Sequence, residues 1–72
     1  MLVSKTPVKE LSGKIIGFID LETNGDKVVR DFYGRILGRY DKRLDVTRDF
    51  YGRIVARGDH ASLLIGLNQN KK

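Results

Sequence analysis

Short apolar runs alternate with polar, glycine-containing turns along most of this chain. Residues 28–30 and 35–40 are rich in β-branched and aromatic side chains and do not follow the 3.6-residue period of an amphipathic helix. Between them lies Asp31-Phe32-Tyr33-Gly34, where the aspartate can accept backbone N–H groups and the glycine can supply the positive φ of a type I turn with a bulge. This pattern predicts a β-hairpin, and its recurrence predicts an antiparallel meander of about seven short strands.

The hairpin pattern belongs to an internal repeat. Residues 28–41 recur eighteen residues later as residues 46–59, and ten of the fourteen positions are identical. Residues 8–20 align with residues 29–41 as a degenerate first copy. We therefore predict one all-β domain over residues 1–72, closed or nearly closed around a pseudo-symmetry axis. It would contain three to four tandem hairpin repeats, at residues 8–20, 29–41 and 47–59 with a partial copy at 62–68, and a tail at 69–72.

A very small residue recurs within one strand of each copy, at Gly17, Gly38 and Ala56. Such a residue in a strand indicates a crowded axis, a bend or a bulge. Strict alternation places Ile36 on the same face as Gly38 and Leu37 on the opposite face, and the other two copies follow the same rule. We expect a close approach to the sheet on the face of the small residues.

With its turn of the form Asp-x-x-Gly-[Lys/Arg]-Ile, seen at residues 31–36, the repeat resembles the small bacterial β-flower domains. The resemblance covers roughly Val8 to Leu67 and implies tandem hairpins that pack radially like petals. Tyr40-Asp41, ahead of a further turn, also gives a looser resemblance to the YD repeats of large secreted toxins and adhesins. Because β-flower domains have no assigned activity, the resemblance implies a fold and not a function.

At 72 residues, the chain can bury only a small core. It has no cysteine and a single histidine, so neither a disulfide nor a structural zinc cluster can support the fold. Association is the common remaining means of support, and we expect a homo-oligomer or a protein partner. The beginning of the sequence lacks the pattern of a secretory signal, and no segment approaches the roughly 20 apolar residues of a membrane helix. We therefore expect a cytoplasmic protein that does not bind membranes.

Basic residues give a second hypothesis. Fourteen Lys and Arg against nine Asp and Glu leave a formal charge of +5, which can attract nucleic acid or simply keep a small protein in solution. The candidates for polyanion binding are basic residues at equivalent repeat positions, with aromatic residues nearby: Lys14, Arg35, Arg39, Arg53 and Arg57. Ion pairs between strands explain the same arginines, because aspartates also recur at matching repeat positions: Asp31, Asp41, Asp49 and Asp59. A structural or protein-interaction module is the first hypothesis and nucleic-acid binding is the alternative.

Catalytic chemistry has little support in the sequence. Asp59, His60 and Ser62 supply a carboxylate, a base and a hydroxyl, but no nucleophile motif accompanies them. The repeated aspartates could converge on a cation, although turn formation already accounts for Asp31 and Asp49. Arg57-Gly58-Asp59 spells an adhesion tripeptide at a position that the repeat itself explains. We predict no enzyme, and no catalytic, cofactor or metal site and no small-molecule substrate.

Overall fold

The computed structural model describes residues 2–69, which form one antiparallel sheet and one helix. The strands are β1 Leu2–Lys9, β2 Ile15–Glu22, β3 Lys27–Asp31, β4 Ile36–Asp41, β5 Val46–Asp49 and β6 Ile54–Arg57, followed by α1 Ala61–Gln69. Each strand pairs with the next in the chain, so the order in the sheet is the order in the sequence. The predicted antiparallel meander is confirmed, with six strands in place of about seven.

The described sheet is open, with β1 and β6 at its two edges. The predicted closure around a pseudo-symmetry axis is therefore not confirmed. The partial fourth copy, residues 62–68, was predicted to be a strand and lies within α1, so that prediction was wrong. Of the predicted tail, Gln69 is the last residue of α1, and residues 70–72 lie outside the described part of the chain.

Four of the five hairpin connections share one turn geometry, at residues 10–14, 22–26, 31–35 and 49–53. In each, the N–H of the fourth residue donates to the carbonyl of the first, at 2.9 to 3.1 Å, and the N–H of the first donates to the carbonyl of the fifth. The fourth residue is always glycine, with φ between 85° and 93°. This is the predicted type I turn with a bulge. Asn24-Gly25, a dipeptide typical of two-residue turns, belongs here to the same longer turn, with Gly25 at its fourth position.

A bulge in β4 changes which residues face the core. Gly38 pairs with Val29 while Ile36 pairs with Arg30, which leaves Leu37 as an extra residue. Leu37 therefore packs against the core, and Ile36 is 45% exposed. The alternation expected from the sequence was wrong here. The same shift in register occurs before Gly17 in β2 and before Ala56 in β6.

The core lies between the sheet and α1, which packs across β2, β3 and β4. Ala61, Leu64 and Ile65 follow the helical i, i+3, i+4 spacing and are buried against Val29. Each of the two strand glycines accommodates a helix side chain. A Cβ atom on Gly17 would lie 2.7 Å from Ile65 Cδ1, and one on Gly38 would lie 2.7 Å from Leu64 Cδ1. The predicted close approach is confirmed, and it is made by the helix.

Candidate interaction site

The turn at residues 31–35 is fixed by one carboxylate. Asp31 accepts hydrogen bonds from the backbone N–H groups of Tyr33 and Arg35, both at 2.9 Å, and from Arg35 Nε at 2.7 Å. Burial of Asp31 acts to raise its pKa and is the largest single influence, but the hydrogen bonds from Arg35 and Tyr33 together outweigh it and lower the pKa below the ordinary value. The ionised carboxylate thus holds both the backbone of the turn and the arginine side chain.

The turn at residues 49–53 repeats this arrangement. Asp49 accepts from the backbone N–H groups of Tyr51 and Arg53 at 2.9 and 3.0 Å, and from Arg53 Nε at 2.9 Å. Burial again acts to raise the pKa of Asp49, and the hydrogen bonds from Arg53 and Tyr51 again lower it overall. The two aspartates are therefore used within their own turns, which accounts for their recurrence without a bound cation.

Each of these turns presents a compact aromatic cluster, and we call residues 32–35 and 50–53 the turn tips. The Phe32 and Tyr33 rings meet edge to face at 5.4 Å, and the Arg35 guanidinium lies 5.7 Å from the centre of the Tyr33 ring. At the second tip, the Phe50 and Tyr51 rings are 5.3 Å apart and the Arg53 guanidinium lies 5.5 Å from the Tyr51 ring. Tyr33 is 80% exposed and Tyr51 78%. Exposed aromatic and arginine side chains that are already held in place are typical of protein contact sites.

The five predicted polyanion-binding residues do not form one surface. Lys14 and Arg35 line the same shallow cleft, of about 220 Å³, beside the first turn tip. Arg53 belongs to the second turn tip. Arg39 and Arg57 lie on the sheet face opposite α1, which we call the open face and which also carries Phe18, Asp20, Arg30 and Arg48. The cleft is smaller than the roughly 300–1,000 Å³ of most ligand pockets.

Arg30 and Arg48 were not among the predicted site residues. Arg30 Nε donates to Asp20 Oδ2 at 3.0 Å, and its terminal nitrogen donates to the Gly34 carbonyl at 3.0 Å. Arg48 makes the equivalent bond to the Gly52 carbonyl at 2.9 Å. A signal was present in the sequence, because Arg30, Arg39, Arg48 and Arg57 follow one another at intervals of nine residues.

The β5–β6 hairpin forms one of the two ends of the sheet, and α1 does not pack over it. α1 packs over β2, β3 and β4 and leaves the end of the sheet at β6 open. Phe50 and Tyr51 at its tip are exposed, and so are Ile54 and Val55 in β6, at 53% and 39%. Because β6 pairs only with β5, one side of its backbone has no strand partner within the described residues.

The residues considered for catalysis lie at the start of α1. The Asp59 carboxylate pairs with Lys27 Nζ and accepts a hydrogen bond from the Ala61 N–H at 3.3 Å. Burial acts to raise the pKa of Asp59, and these bonds lower it overall. The His60 backbone N–H donates to Thr47 Oγ1 at 3.0 Å. These contacts attach the helix to the sheet, and Ser62 is not among them.

Among residues 2–69, no three or more His, Cys, Asp and Glu side chains are grouped so that they could hold a metal ion. The helix in this part of the chain is too short to cross a membrane.

Comparison of the chain with protein-family models, with curated proteins and with solved structures finds no match. The resemblance to β-flower domains and YD repeats stays a prediction from the turn residues.

Proposed function

We propose that this chain is a self-associating structural module, in which β6 of one copy pairs with β6 of a second copy. The observation that carries the proposal is the combination of an unpaired sheet edge with exposed apolar side chains in the same hairpin. Proteins that remain monomeric usually protect an exposed edge strand with charged residues, proline or a covering segment. In β6, Arg57 is the only charged residue.

A second copy fits this edge because an antiparallel strand can pair with itself about a twofold axis. The same backbone groups then serve as donors and acceptors on both sides, and each residue that contacts the partner is contacted in return. The neighbouring turn tips do not oppose association, because Asp31 balances Arg35 and Asp49 balances Arg53. Arg57 itself lies in β6, and the other arginines of the open face, Arg30, Arg39 and Arg48, lie in other strands.

The proposed pairing extends the open sheet and does not close it around an axis. A strand from a neighbour would continue the sheet beyond β6, at the position that a fourth hairpin copy would otherwise occupy. The additional strand would also cover Ile54 and Val55, whose burial is a favourable contribution of roughly 25 cal/mol per Å² of apolar surface.

Light scattering coupled to gel filtration tests this proposal over a wide range of protein concentration. The expected mass of the associated protein is about 16 kDa, twice the 8.2 kDa of one chain. Ile54→Lys with Val55→Lys should yield a monomer, because two charges would be buried in the contact. The matched control is Val3→Lys with Leu44→Lys, at two positions that are each 57% exposed and lie away from β6.

The control should keep the mass of the wild type, and circular dichroism should show that both double variants retain the sheet. A wild-type chain that remains monomeric at the highest concentration would overturn the proposal. Loss of association in the control, or its survival in the β6 variant, would place the contact elsewhere and would overturn the assignment to β6.

A further inference from the structure

The open face carries a row of four arginines that the self-association at β6 does not explain. Val29 is in the core, so the adjacent Arg30 points to the opposite side of the sheet. Gly38 faces α1 and Arg39 again points away. Arg39 is directly opposite Arg48 across β4 and β5. Arg57 pairs with Val46, two residues before Arg48, and so shares this face.

Only part of this charge is neutralised by the protein. Arg30 pairs with Asp20 at 3.0 Å, and Arg39 pairs with Asp26 at 3.1 Å and with Glu22 at 3.6 Å. Within residues 2–69, neither Arg48 nor Arg57 has a carboxylate oxygen within 4.0 Å of its guanidinium nitrogens. These two arginines supply positive charge that is available to a ligand.

In the described part of the chain, Arg48 lacks the ion pair that Arg30 makes with Asp20. Asp20 lies in β2 diagonally across from Arg30, and Asp41 has the same relation to Arg48 in β4 and β5. The Asp41 carboxylate instead accepts the Leu44 N–H at 3.2 Å, within the turn that joins these two strands.

The strands also place Arg48 directly opposite another cation, Arg39. Like charges in this position destabilise a sheet. Asp26 and Glu22 already offset the charge of Arg39, and an anion bound at Arg48 would remove the repulsion that remains.

We propose that the open face binds single-stranded nucleic acid, with Arg48 and Arg57 contacting phosphates. Charge complementarity favours a polyanion, and apolar side chains stand between the arginines, as Ile36 does directly opposite Arg30. Phe18 lies opposite Arg30 on the other side, and Lys5 Nζ lies 5.1 Å from its ring centre. A broad sheet does not fit a duplex groove, which admits a helix or a two-stranded ribbon, whereas a single strand can lie across a sheet with its bases on the apolar side chains.

Fluorescence anisotropy with a labelled oligothymidylate of about 20 nucleotides tests this inference, since that length exceeds the roughly 4–16 nucleotides that small β domains occupy. The Kd should rise with salt, and each phosphate contact should contribute roughly 0.7 to the slope of log K against log salt. Arg48→Gln with Arg57→Gln should weaken binding at low salt by about tenfold or more and reduce the slope by roughly 1.4.

The charge-matched control is Lys42→Gln with Arg43→Gln, which removes the same two positive charges from an exposed turn. Its affinity should stay within about twofold of the wild type, because the proposed contacts are local. Absence of binding at low salt overturns the inference, and so does equal weakening of the two double variants. Tighter binding to vesicles rich in phosphatidylserine than to the oligonucleotide would assign the face to a lipid surface and would also overturn it. Because Arg57 lies in β6, the mass of each double variant is measured as well, so that a change in association through β6 is distinguished from a loss of nucleic-acid contacts.

Discussion

The β3–β4 and β5–β6 hairpins have nearly the same sequence but different surroundings. Their turns have the same hydrogen bonds, since Asp31 and Asp49 each accept from the backbone and from the arginine side chain of the turn. The first hairpin is covered by α1, with Leu37 packed against the core, whereas its counterpart Val55 is exposed. Local hydrogen bonding therefore determines the hairpin, and a few residues outside the turn determine which hairpin the helix covers.

Gly38 is the most important of these residues, because Leu64 of the helix occupies the space where a side chain would lie. The equivalent residue of the second hairpin, Ala56, already carries a methyl group. The two copies have thus diverged at the point of contact with α1 and have stayed alike at the turn.

Of the substitutions in the two hairpins, Gly38→Ala should have the largest effect on stability, and Ala56→Gly is the reverse substitution at the equivalent position. Gly38→Ala should lower the free energy of unfolding by about 2–3 kcal/mol, since its Cβ would overlap both Leu64 Cδ1 and the Arg48 carbonyl oxygen. Ala56→Gly should cost less than about 1 kcal/mol. Urea denaturation followed by circular dichroism measures both. Equal losses in the two variants would contradict the view that the helix distinguishes the hairpins.

The pH dependence of the two turns should differ in size but not in sign. The pKa of Asp31 and that of Asp49 are both lowered in the folded protein. Each ionised carboxylate therefore contributes stability above its unfolded pKa, and this contribution is lost as the pH falls through the folded pKa. Asp31→Asn should destabilise the protein at neutral pH more than Asp49→Asn, because the Asp31 side chain is 5% exposed and that of Asp49 is 18%.

Thermal unfolding between neutral and acidic pH, followed for the wild type and both variants, gives the comparison. Each variant should lose less stability on acidification than the wild type does. A wild-type protein whose stability stays constant down to pH values below 3.8, the ordinary pKa of an aspartate, would contradict the proposed role of the two carboxylates.

The turns could be predicted from the sequence because their geometry depends on neighbouring residues alone. Asp31 and Gly34 are three residues apart, and the backbone hydrogen bonds that close the turn join residues 31–35 to one another. The bulge at Leu37 could not be placed by alternation, since it depends on pairing with β3. The polyanion candidates were chosen by repeat position, which does not distinguish an arginine bound by its own turn, such as Arg35, from one that crosses the open face, such as Arg48.

The helix was missed because a short apolar run is compatible with a strand or a helix. Leu63, Leu64 and Ile65 are adjacent, and α1 has no acidic residue in its first turn and no basic residue in its last. Without α1, one face of the sheet would be exposed, and Gly17 and Gly38 leave space there for helix side chains. Packing against the sheet therefore stabilises the helix over a strand. Asp59, two residues before Ala61, was a signal for its start that could have been used.

Tyr40 and Gly58 occupy equivalent positions in the two hairpins and offer a smaller test of the same contrast. The Tyr40 hydroxyl donates to Asp45 Oδ1 at 2.6 Å, and this bond, together with burial and nearby carboxylates, raises the pKa of Tyr40 to about 12. The stability contributed by the protonated hydroxyl is fully present below the unfolded pKa of 10.0 and is lost as the pH rises towards 12. The second hairpin has Gly58 at this position and therefore has no equivalent side-chain hydrogen bond.

An alkaline titration followed by tyrosinate absorbance should therefore show one ionisation near pH 12 that disappears in Tyr40→Phe. Tyr33→Phe serves as the control, because Tyr33 lies at an exposed turn tip, and it should leave that ionisation in place. Persistence of the ionisation in Tyr40→Phe would mean that the bond to Asp45 does not hold the proton. The β4–β5 turn would then be fixed chiefly by the Asp41 bond to the Leu44 N–H, and Asp45, whose φ of 55° is unusual for a residue other than glycine, would need another source of support.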